Sequence, residues 1–297
     1  MKRLLCEINK NGTVAIDDTI LIKDYPTTAG SLMLSDFKPL FNAEVVDRLL
    51  NAGYVIKGKS NVGEFGLDLL GETSYFGEVV KDGLLVGASA DLVNDGEVSI
   101  SLSVDLNGSP RRSAAVSNVI FIKPTYGTVS RYGIVPCACS GEQVGVTAKT
   151  VDECRKALSV ISGHDEKDGT SLKEEKYDYS SKIDLKGKKI CLIKELYEDA
   201  DEKVKNNINK SVEILKASGS EVEIISYKEL ILAQTAWQIL LSAETCNNVS
   251  RYDGVKFGYR TPAYSDIDEL YVNSRTEAFN ILTKNTVLYG SDVLSKG

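Results

Sequence analysis

The strongest constraint on the fold is a strand–turn–helix pattern between Ser99 and Ser113. A β-prone segment ends at Val104 and is followed by the turn D-L-N-G-S-P, residues 105–110. Asparagine and glycine tolerate positive φ, and proline fits the first turn of a helix. The pattern therefore predicts that Ser109 stands at a helix N-terminus, where free backbone N–H groups can bind a developing oxyanion. An ordinary surface turn fits the same residues, and the turn alone favours that alternative.

Composition narrows the class of protein. The 297 residues are 42% hydrophobic and 26% charged, which is typical of a globular protein with a substantial core. A net charge of −7 argues against a broad nucleic-acid-binding surface, because phosphate binding needs clustered Lys and Arg. No apolar run approaches the roughly 18 residues of a membrane span, and the apolar run in residues 1–10 is too short for a secretion signal. We therefore expect a cytoplasmic protein with no membrane and no direct nucleic-acid contact.

Cysteine and histidine usage gives no metal or cofactor site. The six cysteines form no C-x-x-C pair, which favours reduced thiols in a cytosolic protein. Cys137 and Cys139 could hold a metal with outside ligands, but a structural role is favoured. The single histidine, His164, lies in a charged loop, and a Ser-His-Asp triad would have to use it.

Two motifs carry a family resemblance. The segment D-x-x-G-S-x-R ends at Arg111, and K-P-T-Y-G-T-V-S-R-Y-G spans residues 123–133. Together they resemble the amidase signature family, and within it the A subunits of tRNA-dependent amidotransferases. The resemblance covers nearly the whole chain. It implies an α/β fold, with a mixed, largely parallel sheet flanked by helices on both faces, and a single shortened domain over residues 1–297.

The resemblance also implies catalytic roles. In the family, the serine of G-S-x-R attacks an amide carbonyl and is activated by a second serine and a lysine; the matching nucleophile is Ser109. The segment I-L-I-K-D followed by T-T-A-G-S resembles the family signature that carries the lysine, so Lys23 takes the role of base. We read Thr19–Ile22 as a strand that ends at this lysine. A solvated strand-edge lysine fits the same pattern, and a lysine base needs a lowered pKa.

Supporting roles follow from the same comparison. We expect backbone groups of Leu106, Asn107 and Gly108 to form the oxyanion hole, with Asn107 in a left-handed conformation. Asp105 would orient the turn, and Arg111 would hold it from the helix side. The segment S-G-E-Q-V-G resembles one that lines the family's pocket and places Gln143 there.

Several positions depart from the family pattern. Counting back from Ser109 puts Leu85 at the relay serine and Val86 at its neighbour, whereas Ser89 matches a later serine of the same glycine-rich loop. Leucine can neither donate nor accept a proton, so the relay position is lost. Asn285 and Thr286 replace two arginines, and one such arginine would suit a substrate carboxylate. On this resemblance we expect a domain that is shortened at both ends.

The rest of the chain alternates helical and strand patterns. Apolar spacing predicts helices over 43–52, 150–162, 201–217 and 227–250. Strands are expected over 4–8, 54–58, 99–104, 189–193 and 221–226. The last two strands flank a helix, which implies parallel pairing. We read the charged segment 165–185 as an exposed excursion.

Two functions remain open from the sequence. The first is amide hydrolysis or amidotransfer on a small amide substrate, impaired by the lost relay serine. The second is a catalytically inactive, amidase-like binding or scaffold protein. Either one could work with a partner subunit resembling those of the tRNA amidotransferase.

Overall fold

The computed structural model describes residues 2–174 and 176–295. Their strands are β1 Leu4–Glu7, β2 Val14–Asp17, β3 Ile56–Ser60, β4 Val80–Lys81, β5 Leu84–Leu85, β6 Ile100–Asp105, β7 Ile120–Ile122, β8 Gln143–Ala148, β9 Lys189–Ile193 and β10 Glu221–Ile225. Their helices are α1 Glu44–Asn51, α2 Ala88–Asn94, α3 Ser109–Val116, α4 Val151–Ile161, α5 Glu202–Ala217, α6 Leu230–Val249, α7 Ile267–Ala278 and α8 Ile281–Ser295.

Six strands form one mixed sheet in the order β1-β3-β2-β6-β8-β7. The three central strands β3, β2 and β6 are parallel to one another. Strands β1 and β8 run antiparallel to them, and β7 runs antiparallel to β8. Four of the six strands therefore share one direction, which confirms the predicted mixed, largely parallel α/β sheet.

The two faces of the sheet pack against different helices, because successive side chains of a strand point to opposite sides. On one face, strand residues such as Val14, Ile16 and Leu102 form the main core with apolar side chains of α1 and α4. Ala15 points the other way and packs with Leu92 of α2. Helices thus cover both faces, as predicted.

The α2 face of the central strands is unusually polar. In β6, the residues that alternate with the apolar core are Ser101, Ser103 and Asp105, all of them buried. In β2, the residue that follows Ile16 is Asp17, which shares this face and is 4% exposed. Polar groups on a buried face need partners or a cavity, so this face is where a site can form.

The strand predicted at Thr19–Ile22 is wrong. Strand β2 ends at Asp17, and the following residues form a buried loop that makes only an isolated bridge between Ile20 and Ile134. The loop is held by bonds from its backbone to other loops, such as the Leu21 N–H to the Gly133 carbonyl at 2.9 Å. The run I-L-I is apolar because it is buried, and it is not part of the sheet.

Residues 180–240 form a second compact unit, and residues 1–179 with 241–297 form the first. The single domain expected over residues 1–297 stays a prediction. The charged segment 165–185 leads into the second unit. There, β9 and β10 pair in parallel as predicted, and α5 connects them.

Within the described ranges, no helix is both long and apolar enough to cross a membrane.

Candidate active site

Ser109 is the first residue of α3 and follows directly on a left-handed turn. Gly108 has φ +97° and ψ 2°, a conformation that costs glycine little and other residues more. Pro110 occupies the first turn of the helix, as its ring geometry favours. The Ser109 side chain is half-buried and makes no hydrogen bond to another described residue. The predicted serine at a helix N-terminus is therefore present.

Asp105 stabilises the turn through ion pairs with Arg111 and Lys123. Its buried carboxylate accepts from Arg111 Nε at 2.8 Å and Nη2 at 3.0 Å, and from Lys123 Nζ at 2.9 Å. Lys123 also donates to the Asp105 carbonyl at 3.1 Å and the Gly141 carbonyl at 3.2 Å. Burial alone would raise the pKa of Asp105, but these two cations hold it below its ordinary value. Asp105 and Arg111 therefore contact each other across the turn that carries Ser109, and their roles there stay predictions.

The left-handed residue of the turn is Gly108 and not Asn107, contrary to our expectation. The Asn107 side-chain amide instead donates to the Leu67 carbonyl at 3.3 Å, which fixes the turn to the preceding loop. Leu106 is buried beside it. A glycine directly before the serine already supplies positive φ, so Asn107 keeps an ordinary backbone.

Ser109 opens onto a cavity between the polar face of the sheet and helices α2 and α3. Its volume is about 40 Å³, room for about three water molecules. Its polar lining consists of Asp17, Asn61, Ser89, Ser103, Ser109, Ser113 and Thr147. Five of these seven side chains carry a hydroxyl group, and the Asp17 side chain is ionisable. The cavity can therefore exchange protons as well as bind polar atoms.

Lys23 does not belong to this cavity. Its side chain is exposed, it is not among the lining residues, and its backbone N–H donates to Asn42 Oδ1 at 2.8 Å. The lining of this cavity therefore gives no support to Lys23 as the base, and that role stays a prediction. The reason is the strand boundary. Strand β2, which leads into the site, ends at Asp17, six positions before Lys23.

Asp17 is a titratable residue in the cavity lining that we did not expect from the sequence. Its Oδ1 accepts from the Thr19 N–H at 3.2 Å and from Thr19 Oγ1 at 3.3 Å. Burial raises the pKa of Asp17 to about 7, since these hydrogen bonds and a nearby lysine only partly offset the lost hydration. The only sequence signal for this position is the short apolar run V-A-I directly before Asp17, which could have indicated a buried strand that ends at an aspartate.

The nearby lysine is Lys59, which is fully buried in β3. Its ammonium pairs with Asp18 Oδ1 at 3.4 Å, donates to Thr27 Oγ1 at 3.0 Å and also donates to the Ile20 carbonyl. Burial lowers the pKa of Lys59, and Asp18 acts in the opposite direction. Lys59 is not among the residues that line the cavity, so its charge serves the loop after β2.

The segment where the family resemblance predicts the loss of the relay serine forms a small hairpin. Leu85 belongs to β5 and pairs with Val80, and its carbonyl accepts from Arg112 Nη1 at 2.8 Å. Val86 lines the cavity and Leu85 does not. Ser89 also lines the cavity, and its Oγ lies 2.7 Å from Ser60 Oγ. One wall of the cavity is thus apolar where the family pattern has serine.

Three further candidates lie outside the cavity. Gln143 is buried, but its side chain accepts from the Gly127 N–H at 3.0 Å, so it supports the scaffold and is not among the lining residues. His164 contacts the Leu172 carbonyl through Nδ1 at 2.9 Å. Cys137 is buried, with Sγ 3.4 Å from Thr245 Oγ1. In the described parts of the chain, no group of three or more His, Cys, Asp or Glu side chains could hold a metal ion.

The fold and the site together define a class. They consist of a mixed α/β sheet that presents a serine on a Gly-Ser-Pro turn beside a polar cavity. A family model described as Amidase matches residues 13–297, so this chain belongs to the amidase family.

The curated relatives of this chain include A subunits of the glutamyl-tRNA(Gln) amidotransferase. The chain is 41% identical over 295 residues to the A subunit of the glutamyl-tRNA(Gln) amidotransferase of Lachnoclostridium phytofermentans, covering 96% of this chain and 60% of that protein. The corresponding protein of Streptococcus mutans is 39% identical over 295 residues, with the same coverage of each chain. The chain therefore spans about 60% of the length of these curated relatives.

Solved structures agree with this assignment. The A subunit of the glutamyl-tRNA(Gln) amidotransferase of Thermotoga maritima superposes with a TM-score of 0.79 at 28% identity, covering 99% of this chain and 66% of that one. The peptide amidase of Stenotrophomonas maltophilia gives a TM-score of 0.75 at 24% identity, covering 94% and 60%. This second likeness is one of fold.

Proposed function

We propose that this chain hydrolyses or transfers an amide group, with Ser109 as the nucleophile. The observation that carries the proposal is the Ser109 turn itself. A left-handed Gly108 places the serine on the first turn of α3, and the Asp105–Arg111–Lys123 network fixes that turn beside a polar cavity. Such a fixed turn lets the hydroxyl meet a carbonyl with little reorganisation.

The chemical steps follow from these positions. Ser109 Oγ would form a bond to the carbonyl carbon while its proton leaves for a base in the cavity. Backbone N–H groups of Gly108 and Ser109 would bind the oxyanion, because the first amides of a helix have no intrahelical acceptor. The C–N bond then breaks as the amine takes up a proton, and water releases the acyl group from Ser109.

Lys23 does not take part in this scheme. Position 85, where the family has its relay serine, does not take part either, because it is a leucine. The exposed Lys23 has no place in the lining, and Leu85 cannot transfer a proton. General-base assistance contributes roughly 10²–10⁴-fold, so the family's lysine–serine relay is a large loss unless another group replaces it. We expect turnover to be slow by comparison with an enzyme that retains the relay.

The substrate and partner are part of the same proposal. The hydroxyl groups and the carboxyl group of the described lining suit hydrogen bonds to an amide group. No arginine is among its described lining residues, so a free carboxylate has no bidentate partner there. We propose a small amide substrate and, because the relatives are named as subunits, a partner chain.

All six cysteines are unpaired, in keeping with a cytoplasmic location.

A fluorophosphonate probe followed by peptide mapping tests the proposal. The wild-type chain should be labelled on the peptide that contains Ser109, and Ser109→Ala should abolish that labelling while keeping the melting temperature of the wild type. Labelling of other serines only, on folded protein, would contradict the proposal.

A second function is supported by the lining of the cavity. Val79, Val86 and Ala88 form an apolar cluster at the wall where the family carries serines, and the described lining contains no cation. These features suit a non-catalytic member that binds a small ligand or supports a partner. Absence of labelling at Ser109 in well-folded protein, with and without candidate amidotransferase subunits, is the result this alternative predicts.

A further inference from the structure

We propose that Asp17 is the general base that takes the proton of Ser109, and that the Ser103 hydroxyl carries the proton between them. This inference rests on the proposed function of Ser109. It assigns a base and a relay to a cavity that is lined neither by Lys23, which matches the family's lysine, nor by Leu85, which stands in place of the family's relay serine.

The sheet register brings Asp17 and Ser103 side by side. Strands β2 and β6 are parallel neighbours with Ile16 opposite Leu102, so one step further along both strands Asp17 lies next to Ser103. Both side chains point to the α2 face, away from the apolar core that contains Ile16 and Leu102. Both line the cavity that Ser109 also lines.

Among Asp17, Ser103 and Ser109, Ser103 is unusual because it is a buried hydroxyl without a hydrogen bond to another described residue. It is 2% exposed, and its Oγ has no hydrogen-bond partner in the part of the chain that the structure describes. A buried hydroxyl without a partner costs free energy, which is unusual unless a ligand, a water molecule or a reaction uses it. Its counterpart on the other side of Asp17 is different, because Ser60 is already bonded to Ser89.

The charged groups around the cavity leave Asp17 as the group free to exchange a proton. On β3, Lys59 is engaged by Asp18 and by two oxygens of the loop after β2. On β6, Asp105 is held by Arg111 and Lys123. On α2, Asp91 is held by Arg3 and Lys81. The pKa of Asp17, raised by burial to about 7, suits a base that works near neutral pH.

The proton transfer balances without any other reactant. As Ser109 Oγ bonds to the carbonyl carbon, its proton passes to Ser103 Oγ, and the Ser103 proton passes to the Asp17 carboxylate. Because Ser103 Oγ is hydrogen-bonded to neither group in the structure, each transfer goes through one water molecule of the cavity. Protonated Asp17 returns a proton along the same path to the leaving nitrogen when the C–N bond breaks. The sequence of transfers leaves Ser103 neutral throughout and Asp17 ionised at the end of deacylation.

The test is the rate of fluorophosphonate labelling at Ser109 between pH 5.5 and 9, measured on the full chain. In this reaction Ser109 Oγ bonds to phosphorus, fluoride leaves, and the proton goes to the base. Wild type should label faster as Asp17 ionises, with a midpoint near pH 7. Asp17→Asn should lower the rate roughly 10²-fold or more and remove that midpoint. Ser103→Ala should lower the rate about tenfold and keep the midpoint.

Ser101→Ala is the matched control. Ser101 is on the same strand and face as Ser103 and is equally buried, but it donates to the Ser89 carbonyl at 3.3 Å and is not among the lining residues. Its labelling rate should match wild type.

The outcomes separate this inference from the proposed function. If Ser109 is labelled in every variant at one rate, the nucleophile stands and the assignment of Asp17 is overturned. A wild-type rate that is flat from pH 5.5 to 9 also overturns it and needs no variant to fold. If Ser109 is not labelled at all, the proposed function fails, and the base assignment fails with it.

Discussion

Two buried carboxylates on one face of the same sheet have opposite electrostatic surroundings. Asp105 ends β6 and meets two cations, Arg111 and Lys123, so its pKa is held below the ordinary value. Asp17 ends β2, and its side-chain partner is the neutral Thr19, so burial raises its pKa to about 7. Equal burial therefore does not mean equal charge: the first carboxylate is fixed as an anion, and the second can change its protonation near neutral pH.

The difference matters because we propose different roles for the two residues in positioning and deprotonating Ser109. Asp105 fixes the turn that carries Ser109. A permanent charge performs this task well when one partner is a bidentate arginine, here Arg111. Asp17 borders the cavity into which Ser109 opens, where a group that gains and loses a proton is useful. Substitutions of each carboxylate and of the groups around them test this division of roles.

The largest effect expected is the pH dependence of stability that Asp17 causes. Its folded-state pKa, about 7, lies above the ordinary 3.8, so folding favours its protonated form. This stabilisation is complete below the unfolded-state pKa and is lost as pH rises through about 7. Between pH 5 and 8.5 the free energy of unfolding should fall by about 3 kcal/mol on account of Asp17.

Asp17→Asn removes this dependence, and urea unfolding at both pH values measures it. The drop between pH 5 and 8.5 should shrink by about 3 kcal/mol in the variant. An equal drop in both proteins would show that Asp17 is ionised at pH 5 in the folded state.

Asp105→Asn should destabilise the chain at every pH by about 2 kcal/mol. The variant leaves Lys123 and Arg111 without their carboxylate, and the partial exposure of both cations limits the penalty below that of a fully buried pair. Urea unfolding at pH 5 and 8.5 should give nearly the same loss. A loss confined to one of the two pH values would contradict the fixed charge assigned to Asp105.

Gly108→Ala should lower the free energy of unfolding by about 1–2 kcal/mol. The residue has φ +97°, and a Cβ there would approach Arg111 Nη2 at 3.2 Å. Fluorophosphonate labelling of Ser109 should fall as the turn shifts. Gly83, with φ +78° and open space around its Cα, is the matched control: alanine there tests the backbone strain without the contact to Arg111.

The smallest effect is expected at Lys23. Because its side chain is exposed, Lys23→Ala should change stability by less than about 0.5 kcal/mol and leave the Ser109 labelling rate unchanged. A loss of labelling of tenfold or more would return Lys23 to the role of base and remove the contrast between the two carboxylates.

Local signals made one half of the site predictable. The Ser109 turn is specified by adjacent residues, since Gly108 supplies positive φ and Pro110 starts the helix. The same holds for α4, whose capping box between Thr150 and Glu153 can be read from the sequence. The sequence also suggested supporting roles for Asp105 and Arg111 at this turn, but it did not predict the ion pair between them.

The other half of the site depends on tertiary packing. Strand β2 has only four residues, all buried, so it has no polar alternation that would mark it as a strand. The apolar run that ends at Ile22 is the stronger strand pattern, yet its burial comes from a loop. Neither the neighbourhood of Asp17 and Ser103 nor the division at residue 180 follows from any local motif, because both arise from strand order and contacts.

The most direct test of the contrast is an NMR titration of the carboxyl carbons of aspartate, with Asp17→Asn and Asp105→Asn used to assign the two signals. We expect the Asp17 carboxyl to titrate near pH 7 and the Asp105 carboxyl to titrate below the ordinary value of 3.8. An Asp17 signal that titrates below about pH 5 would mean that the cavity holds a permanent anion, and Asp17 would then lose the role of a base tuned to neutral pH.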